Sequence, residues 1–561
     1  MGSQRDPEFL RALVDMGSNG IRFSISSLAP PTACILPTLY QSRAGISLYD
    51  AQYSSGTKAP IPDEVIKQVL NAFKQFARTC ADFGVPSQHI TVLATEATRE
   101  AVNSDSFRAQ IKQAVGWDVA MLPKEEEGRV GAMGVASSLA EVKGLVMDLG
   151  GGSMQLTWMI KTRDGQVVLP DRGAVSMPFG AAALTRRLAE ARRDGQKAVK
   201  ALGEEIKSRV TEAYASLDVP DELERKARTE DGFALYLSGG GFRGWGYVLM
   251  SQHRVSPYPI PVINGFSVDR ADFMDTQSVQ TAVAGQESDD EEIFRVSERR
   301  ASQVPAVAFL VTALSEALPQ IKNVQFCQGG VREGFLFSSL SPAVRAHGPL
   351  EAATAPYATP SSAHIVDLLN SALPPDSLGS AAVPITHDIL SALANLLQHH
   401  ATHPKDLIAP SALRCTTTGI LAPVHGISHP DRALLALLLH ERWDGDVPPT
   451  DMDFLQRLRD LVGPRAAWWT MYLGRVGRLV GSMYPAGYAP ETRIAFEAAW
   501  TETKKGNEAI GLVVRVRGAD GETESFLKCV KGIEQMRKKK NWVGGKEGVG
   551  MKVVVGVKKL H

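Results

Sequence analysis

The 561-residue chain has few cysteines and no net charge, and each lack excludes a class of protein. Its five cysteines are scattered without a C-x-x-C spacing, which argues against a disulfide scaffold or a zinc ribbon and fits a reducing compartment. Basic and acidic residues number 61 each, so no overall charge draws the chain to nucleic acid or to an anionic membrane. We therefore expect neither of these as a partner.

Long apolar runs are also missing from the sequence. None approaches the roughly 20 residues that a bilayer-spanning helix needs, and the opening segment MGSQRDPEFL lacks the apolar region of a signal peptide. The expected location is the cytoplasm, or the cytoplasm and the nucleus together. The length exceeds what one hydrophobic core holds, so several domains are expected.

What the chain does have is a set of glycine turns between apolar segments. In GLVMDLGGGSMQLTWMI (144–160), an aspartate and three glycines separate two strand-like runs. A single such turn is typical of an ordinary hairpin. However, RALVDMGSNGIRFSIS (11–26) repeats the design around Asp15, and ALYLSGGGFRGWG (234–246) adds a third glycine turn after a strand-like run. Repeated units indicate two related lobes.

Glycine turns with nearby acids favour a phosphate chain and its metal ion. Backbone N–H groups bind phosphate oxygens, while carboxylates hold Mg²⁺ directly or through water. At a predicted strand-to-helix junction, Thr95, Thr98 and Arg99 indicate either an anion site or an N-capping turn with a surface arginine. The acids at 125–127 open a predicted helix and are either dipole-favouring surface charges or include a general base.

These motifs together resemble the exopolyphosphatase and guanosine-pentaphosphate phosphatase family. The ordered set is D-x-G-S-N from Asp15, T-x-x-x-R-x-A-x-N from Thr95, E-E-x-R from Glu126, D-x-G-G-G-S from Asp148 and V-R-E-G from Val331. The resemblance covers about 11–340. Three further stretches, DMGSNGIRFS, LSGGGFRGWG and GISHPDRALLALLLHERW, most resemble a fungal subfamily that relays mitochondrial state to nuclear transcription.

The resemblance implies an α/β class with a duplicated actin-like fold of the sugar kinase and Hsp70 type. An α-helical HD-like domain and a small α/β C-terminal subdomain are expected to follow the two lobes. The expected boundaries are 1–130 for lobe I, 131–344 for lobe II, 345–364 for a linker rich in Ala, Pro, Ser and Thr, 365–490 for the HD-like domain and 491–561 for the last subdomain.

The resemblance also implies roles for individual residues. Glu127 becomes the general base for water, and Asp148 is the second catalytic residue. Asp15 and Asp148 become the residues that hold Mg²⁺. The residues assigned to phosphate or nucleotide binding are Asp15, Gly17, Ser18, Asn19, Arg99, Gly150, Gly151, Gly152, Ser153, Gly239, Gly240 and Gly241.

The sequence departs from the enzymes of the family at the second glycine turn. They usually continue G-G-G-S-T-E, whereas this chain has Met154 and Gln155 after Ser153. Gln155 carries no negative charge for a metal ion, and Met154 removes a hydroxyl. The third turn is bulkier than usual, with Phe242 after its glycines, and Gly20 replaces the usual serine of the first turn. Binding of phosphate is therefore expected to be better preserved than hydrolysis.

Two features of the C-terminal half complete the predictions. Eight of the twelve histidines lie between His364 and His440, including the doublet at His387, but their spacing does not compel a metal site. Near the end, 509–530 is predicted to form a hairpin turning at 519–521, and 537–540 is a basic run that either contacts RNA or an acidic partner or forms a solvated face.

The leading functional hypothesis is a cytosolic signalling regulator that binds nucleotide or polyphosphate with Mg²⁺ and acts through signalling or transcription regulatory proteins. An active exopolyphosphatase or nucleotide pyrophosphate phosphatase is the alternative, and an adaptor with an empty cleft is third. A homodimer is left open.

Overall fold

The computed structural model describes residues 5–53, 56–286, 292–503 and 506–560. The chain divides into two compact units. Unit 1 comprises Met1–His253, Val262–Pro349 and His425–Ile427, and unit 2 comprises Arg254–Pro261, Leu350–Val424 and Ser428–His561. Among the described residues, no helix is both long and apolar enough to cross a membrane. All five cysteines are buried.

Unit 1 begins with a five-stranded sheet in the order β3-β2-β1-β4-β5. Its strands are β1 (Leu10–Gly17), β2 (Gly20–Ser27), β3 (Thr38–Ala44), β4 (Ile90–Ala94) and β5 (Val119–Met121). Its helices are α1 (Leu48–Tyr53), α2 (Asp63–Phe83), α3 (Glu96–Arg99), α4 (Ser104–Val115) and α5 (Lys124–Ser138). The first two strands form an antiparallel hairpin, and β4 runs parallel to β1.

The sequence of α2 shows why this helix forms. Acids open its first turn, and Gly84 ends it in the left-handed conformation at φ 70°. Its buried face places Phe73 and Phe76 against Phe23 of β2, with ring centroids 5.7 and 5.0 Å apart. This packing forms the core of the first sheet.

The second sheet of unit 1 has the order β11-β12-β10-β6-β7-β8, with β9 paired to β7. Its strands are β6 (Val142–Leu149), β7 (Met154–Lys161), β8 (Val167–Val168), β9 (Val175–Met177), β10 (Phe233–Ser238), β11 (Ser267–Asp269) and β12 (Ile321–Phe326). The helices are α6 (Ala181–Asp194), α7 (Gln196–Ala215), α8 (Asp221–Thr229), α9 (Gly239–Ser251), α10 (Arg270–Met274), α11 (Thr276–Gln286), α12 (Glu298–Ala301), α13 (Val304–Ala317), α14 (Val331–Ser339) and α15 (Pro342–Arg345).

The two sheets share one topology, which confirms the predicted duplication. β6 and β7 form an antiparallel hairpin like β1 and β2, and β10 runs parallel to β6 as β4 does to β1. β12 then continues the parallel arrangement beside β10, as β5 does beside β4. The carboxyl ends of β1 and β6 therefore carry Asp15 and Asp148 at equivalent positions of the two sheets.

Close packing of α5 on α14 depends on glycines in both helices. A Cβ on Gly334 would lie 1.8 Å from the Val130 carbonyl oxygen, and one on Gly134 would lie 2.4 Å from that of Gly330. Only glycine permits this approach. The V-R-E-G motif is thus partly a packing motif, because it brings the start of α14 against α5.

Unit 2 is mainly helical up to its last sheet. Its helices are α16 (Pro349–Thr354), α17 (Ser362–Ser371), α18 (His387–Leu396), α19 (Ile408–Arg414), α20 (His429–Arg442), α21 (Pro449–Val462), α22 (Pro464–Met483) and α23 (Glu524–Glu534). The predicted linker 345–364 contains α16, because Leu350, Ala352 and Ala353 are apolar side chains that become buried. The likeness to an HD domain and the expected domain boundaries stay predictions.

The chain ends in a three-stranded sheet of β13 (Ile494–Glu502), β14 (Glu508–Val516) and β15 (Lys552–Lys559). The hairpin predicted over 509–530 is wrong. The actual hairpin joins β13 to β14, with Glu502 opposite Glu508, and 518–522 is a 3₁₀ turn that leads into α23. Phe526, Val530 and Ile533 are buried at helical spacing, which is why this segment is not a strand.

Candidate functional site

The glycine turns of unit 1 converge on a polar cavity of about 120 Å³. It is enclosed by the turns after β1 and β6, the start of α9 and the start of α14, with one side chain from α5. The lining residues are Asp15, Gly17, Ser18, Asn19, Gly20, Arg22, Arg43, Thr95, Glu127, Asp148, Gly150, Gly151, Ser153, Gln155, Gly239, Gly240, Arg243, Gly330 and Val331.

Most of the residues assigned from the sequence meet here. Those that line the cavity are Asp15, Gly17, Ser18, Asn19, Glu127, Asp148, Gly150, Gly151, Ser153, Gly239 and Gly240. Arg99, Gly152 and Gly241 were assigned to phosphate binding but lie outside the cavity lining. Their contacts give each of them a structural role.

Arg99 supports Glu127 from behind. Its Nη1 donates to Glu127 Oε2 at 3.2 Å and also to the Leu122 carbonyl oxygen. Burial raises the pKa of Glu127 to about 7, and the adjacent Arg99 limits that rise. A carboxyl group that titrates near neutral pH suits proton transfer.

Gly152 and Gly241 allow close packing around the cavity. A Cβ on Gly152 would lie 2.4 Å from Glu96 Oε2, and one on Gly241 would lie 2.4 Å from Leu149 Cδ2. Real Cβ atoms essentially never come this close to another heavy atom. Both glycines are therefore required by neighbouring side chains, whether or not their amides meet a ligand.

The two aspartates have different surroundings. Asp15 is buried, which raises the pKa of its carboxyl group, while Arg22 and Arg332 act to lower it. The Arg22 Nη1 atom lies 3.8 Å from Asp15 Oδ2. Asp148 accepts a hydrogen bond from the Ser238 hydroxyl at the end of β10. Both carboxylates keep an oxygen that no other side chain bonds within the described residues.

Gln155 follows the second glycine turn, at the position where the family resemblance predicts glutamate. It stands opposite Asp148 in the β6–β7 register, and its Nε2 donates to Ser153 Oγ at 3.0 Å. Both Gln155 and Ser153 are buried. The amide thus replaces a charge with a neutral hydrogen bond at the wall of the cavity.

Three arginines of the cavity were missed by the sequence analysis. Arg22 pairs with Asp15 across the β1–β2 hairpin, and Arg43 pairs with Arg22 across β2–β3. Arg243 lies on the first turns of α9, where burial lowers the pKa of its guanidinium to about 10. The turn at 18–19 fixes the register that places Arg22 opposite Asp15. The position of Arg22 beside Asp15 could therefore have been predicted from the sequence. The sequence carried no such signal for Arg43 and Arg243.

Asn19 is held by arginines from two parts of unit 1. Arg43 Nη2 donates to its carbonyl oxygen at 2.7 Å, and Arg299 Nη2 donates to its Oδ1 at 2.7 Å. Arg299 also pairs with Asp50 at 3.1 Å. Since Arg299 lies on α12 and Asn19 follows β1, this contact joins the subdomains of the two sheets.

The residues present fit Mg²⁺ held jointly by protein and phosphate. Among the described residues, no group of three or more His, Cys, Asp or Glu side chains is arranged to hold a metal ion. Mg²⁺ usually takes one or two carboxylates, keeps several waters and shares phosphate oxygens. Asp15 and Asp148, which both line the polar cavity, supply that donor set, whereas the described residues build no cage of protein ligands alone.

Comparison with known protein families divides the chain into two parts. Residues 28–343 match the Ppx/GppA phosphatase family, and residues 348–560 match the RTG2 C-terminal domain. The histidine-rich helices therefore fall within the second match.

Individual relatives are similar over different shares of the chain. Retrograde regulation protein 2 of Saccharomyces cerevisiae is 40% identical over 492 residues, which cover 85% of this chain and 81% of that protein. A guanosine-5'-triphosphate,3'-diphosphate pyrophosphatase of Photobacterium profundum is 30% identical over 148 residues, or 26% of this chain and 28% of that protein. A solved Ppx/GppA family member from Aquifex aeolicus superposes with a TM-score of 0.46 and 21% identity, over 59% of this chain and 97% of that chain.

Proposed function

Because the chain belongs to the Ppx/GppA phosphatase family, we propose that it is a signalling regulator that binds a nucleotide or polyphosphate with Mg²⁺ in the cavity. It acts through signalling or transcription regulatory proteins in the cytoplasm or nucleus. Similarity over most of the chain to retrograde regulation protein 2 of yeast supports a regulatory role.

The observation that carries this proposal is the neutral side chain of Gln155 in a cavity that otherwise suits phosphate. Its amide bonds Ser153 beside Asp148, where a carboxylate would help to hold a metal ion. The cavity keeps backbone N–H groups at the start of α9 and three arginines. The cavity thus has groups that bind phosphate, while residue 155 provides no carboxylate that would assist hydrolysis.

Each binding group has a physical task. The amides of the glycine turns and of the α9 N-terminus donate to phosphate oxygens. Arg22, Arg43 and Arg243 add charge-assisted hydrogen bonds. Asp15 and Asp148 would hold Mg²⁺, which when bound neutralises phosphate charge.

An active phosphoanhydride hydrolase is the second candidate, and Glu127 favours it. Its carboxyl group, backed by Arg99, has a pKa of about 7 and lines the cavity. In that role Glu127 accepts a proton from the attacking water, and Arg99 keeps the carboxylate oriented.

The two candidates are separated by measuring binding and phosphate release on one preparation. Polyphosphate, ATP, GTP and guanosine tetraphosphate are each titrated with Mg²⁺, and released phosphate is followed. The regulator is expected to bind at least one of them with turnover far below about 1 s⁻¹. Turnover at or above that rate would establish the hydrolase instead.

Gly151→Ala is expected to abolish the thermal stabilisation that such a ligand confers. A Cβ at this position would lie 2.4 Å from Asn19 Nδ2, and Asn19 is fixed by Arg43 and Arg299. A ligand at ten times its Kd stabilises the wild type by about 1.4 kcal/mol, a readily measured shift in Tm.

Gly131→Ala on α5 is the matched control, because a Cβ there meets no heavy atom within 4 Å. It should keep the full ligand-induced shift. A shift of equal size in Gly151→Ala would remove the second glycine turn from the binding site.

Ligand binding is expected to close the cavity and change partner affinity. Asp15 and Asp148 come from the two duplicated sheets. A bound phosphate chain with Mg²⁺ can therefore contact both carboxylates only when the two sheets approach each other. Hydrogen exchange of the turns at 17–20 and 150–153 should slow on ligand addition. Asp15→Asn and Asp148→Asn should lose this protection and the partner proteins captured by the wild type.

Glu127→Gln is the control for that experiment, since it alters the proposed base and not the aspartates. It should keep both the protection and the captured proteins. If the two aspartate variants capture the same proteins as the wild type, the cavity does not control signalling.

A further inference from the structure

A second cavity lies within unit 2, far in sequence from the glycine turns. It has a volume of about 330 Å³ and is formed by the C-terminal end of α20 together with α22 and α23. The residues that line it are Glu441, Asp444, Arg475, Arg478, Lys528, Cys529, Lys531, Gly532 and Gln535. The volume is within the range of small-molecule sites.

Two helices each present a pair of cations to this cavity. Arg475 and Arg478 are one turn apart on α22, and Lys528 and Lys531 are one turn apart on α23. Residues at this spacing share a helix face. The cavity is therefore bordered by four cationic side chains on two facing helices.

The carboxylates of the cavity do not balance these charges. Glu441 lies 3.4 Å from Arg475 and 3.8 Å from Arg459, so one carboxylate serves two guanidinium groups. Asp444 pairs with Arg478 and lies 3.8 Å from Lys528. Across the part of the chain that the structure describes, Lys531 has no ion pair. The cavity and its ion-pair partners hold three more cations than carboxylates.

A buried arginine beside the cavity adds to this excess. Arg442 is 6% exposed, and no carboxylate pairs with it among the described residues. Its Nη2 donates to Gln398 Oε1 at 3.1 Å, its Nε has no partner, and its guanidinium stacks on Trp443 at 4.0 Å. Burial lowers its pKa to about 10, and Cys529 and Arg478 of the cavity lie within electrostatic range of it. A buried cation without an anion is costly.

We propose that this cavity binds a small anion that carries two or more phosphate groups. Arg478 already bonds Asp444, and Arg475 already bonds Glu441 and the Gly532 carbonyl oxygen. Phosphate oxygens therefore accept from the remaining N–H groups of these arginines and from the two lysines on the facing helix. A multivalent anion neutralises the excess that Glu441 and Asp444 leave, which one carboxylate group could not. The phosphate groups come from an organic diphosphate or from a short inorganic polyphosphate.

A small molecule fits the observations better than a nucleic acid strand. The cations surround one concave cavity, whereas a strand is bound along an extended basic groove. The basic run at 537–540 is exposed and contributes no residue to the cavity. It therefore provides a control for unspecific charge attraction.

The test is calorimetric titration of the full chain with tripolyphosphate, with ADP and with citrate at 0.15 M salt, where exposed charges are largely screened. The wild type should show a site for tripolyphosphate or ADP that survives in Gly151→Ala. In the double variant Lys528→Gln/Lys531→Gln, its Kd should rise about tenfold for each lysine removed. Both lysines lie on the exposed side of α23, so folding should be kept.

The matched control is Lys538→Gln/Lys540→Gln, which removes the same charge from exposed positions outside the cavity. Its Kd should equal that of the wild type. Equal weakening in both double variants would show diffuse attraction and overturn the proposal. So would citrate binding as tightly as tripolyphosphate, or loss of all binding in Gly151→Ala. Tripolyphosphate binding without ADP binding assigns the inorganic source, and the reverse assigns the organic one.

Discussion

Glu127→Gln should stabilise unit 1 at pH 8 by up to about 3 kcal/mol, because one pKa unit corresponds to about 1.4 kcal/mol. Burial raises the pKa of Glu127 from 4.5 to about 7, so the folded state favours the protonated acid. Its contribution is fully present below pH 4.5 and is lost as pH rises through 7. Glutamine cannot ionise, so this loss disappears. Denaturant unfolding of both proteins between pH 4 and 8 measures the effect.

The matched control is Glu125→Gln in the same helical turn, whose side chain is exposed. Its stability should differ from the wild type by less than about 0.5 kcal/mol at every pH. Parallel profiles of stability against pH for Glu127→Gln and the wild type would show that burial does not raise the pKa of Glu127. The mechanism of the hydrolase candidate would then lose its base.

The same titration predicts the pH dependence of any turnover. A base must be ionised to accept a proton, so phosphate release should rise as pH increases through about 7. Ligand binding, which depends on backbone amides and arginines, should change much less over that range. A difference between the pH profiles of phosphate release and of ligand binding distinguishes the role of Glu127 from that of the phosphate-binding groups.

The sequence was most informative where chemistry is carried by neighbouring residues. The units around Asp15 and Asp148 were predicted as strand, turn and strand, and both hairpins are observed. Alternating strands and a glycine turn are local signals, so periodicity detects them. The duplicated topology followed from finding the same unit twice.

Residues brought in by tertiary structure could not be predicted in the same way. Arg43 reaches the cavity because β3 pairs with β2, whereas Arg299 bonds Asn19 of the cavity lining because α12 packs near the first turn. Such contacts depend on long-range pairing that spacing does not encode. The same limit explains Arg99, whose motif position indicated a ligand contact although it lies behind Glu127.

Glycine-rich motifs also carried two meanings that sequence alone does not separate. Gly151 faces Asn19 in the cavity, whereas Gly241 accommodates Leu149 in the core. Near the C-terminus, the turn residues at 519–521 indicated a hairpin but lie in the 3₁₀ turn before α23. A helix start and a hairpin turn use the same residue types, and the buried helical face of α23 decides between them.

Gln155→Glu should raise phosphate release by about 100-fold in the presence of Mg²⁺, the size of effect seen when one group that stabilises transition-state charge is gained or lost. The substitution places a carboxylate opposite Asp148 in the β6–β7 register and beside Ser153. Like charges directly opposite each other destabilise a strand pair. The variant should therefore be less stable than the wild type without Mg²⁺ and recover when Mg²⁺ is added.

Gln75→Glu on the exposed face of α2 is the matched control, since it adds the same charge away from the cavity. It should change neither phosphate release nor the response of Tm to Mg²⁺. The measurements are phosphate release from polyphosphate and from GTP, with Tm recorded with and without Mg²⁺. If Gln155→Glu gains no Mg²⁺-dependent stability, its carboxylate does not reach the metal position proposed for Asp15 and Asp148. If it gains stability but no turnover, the missing charge is not what limits hydrolysis, and the cavity is a binding site whose chemistry is blocked at another residue.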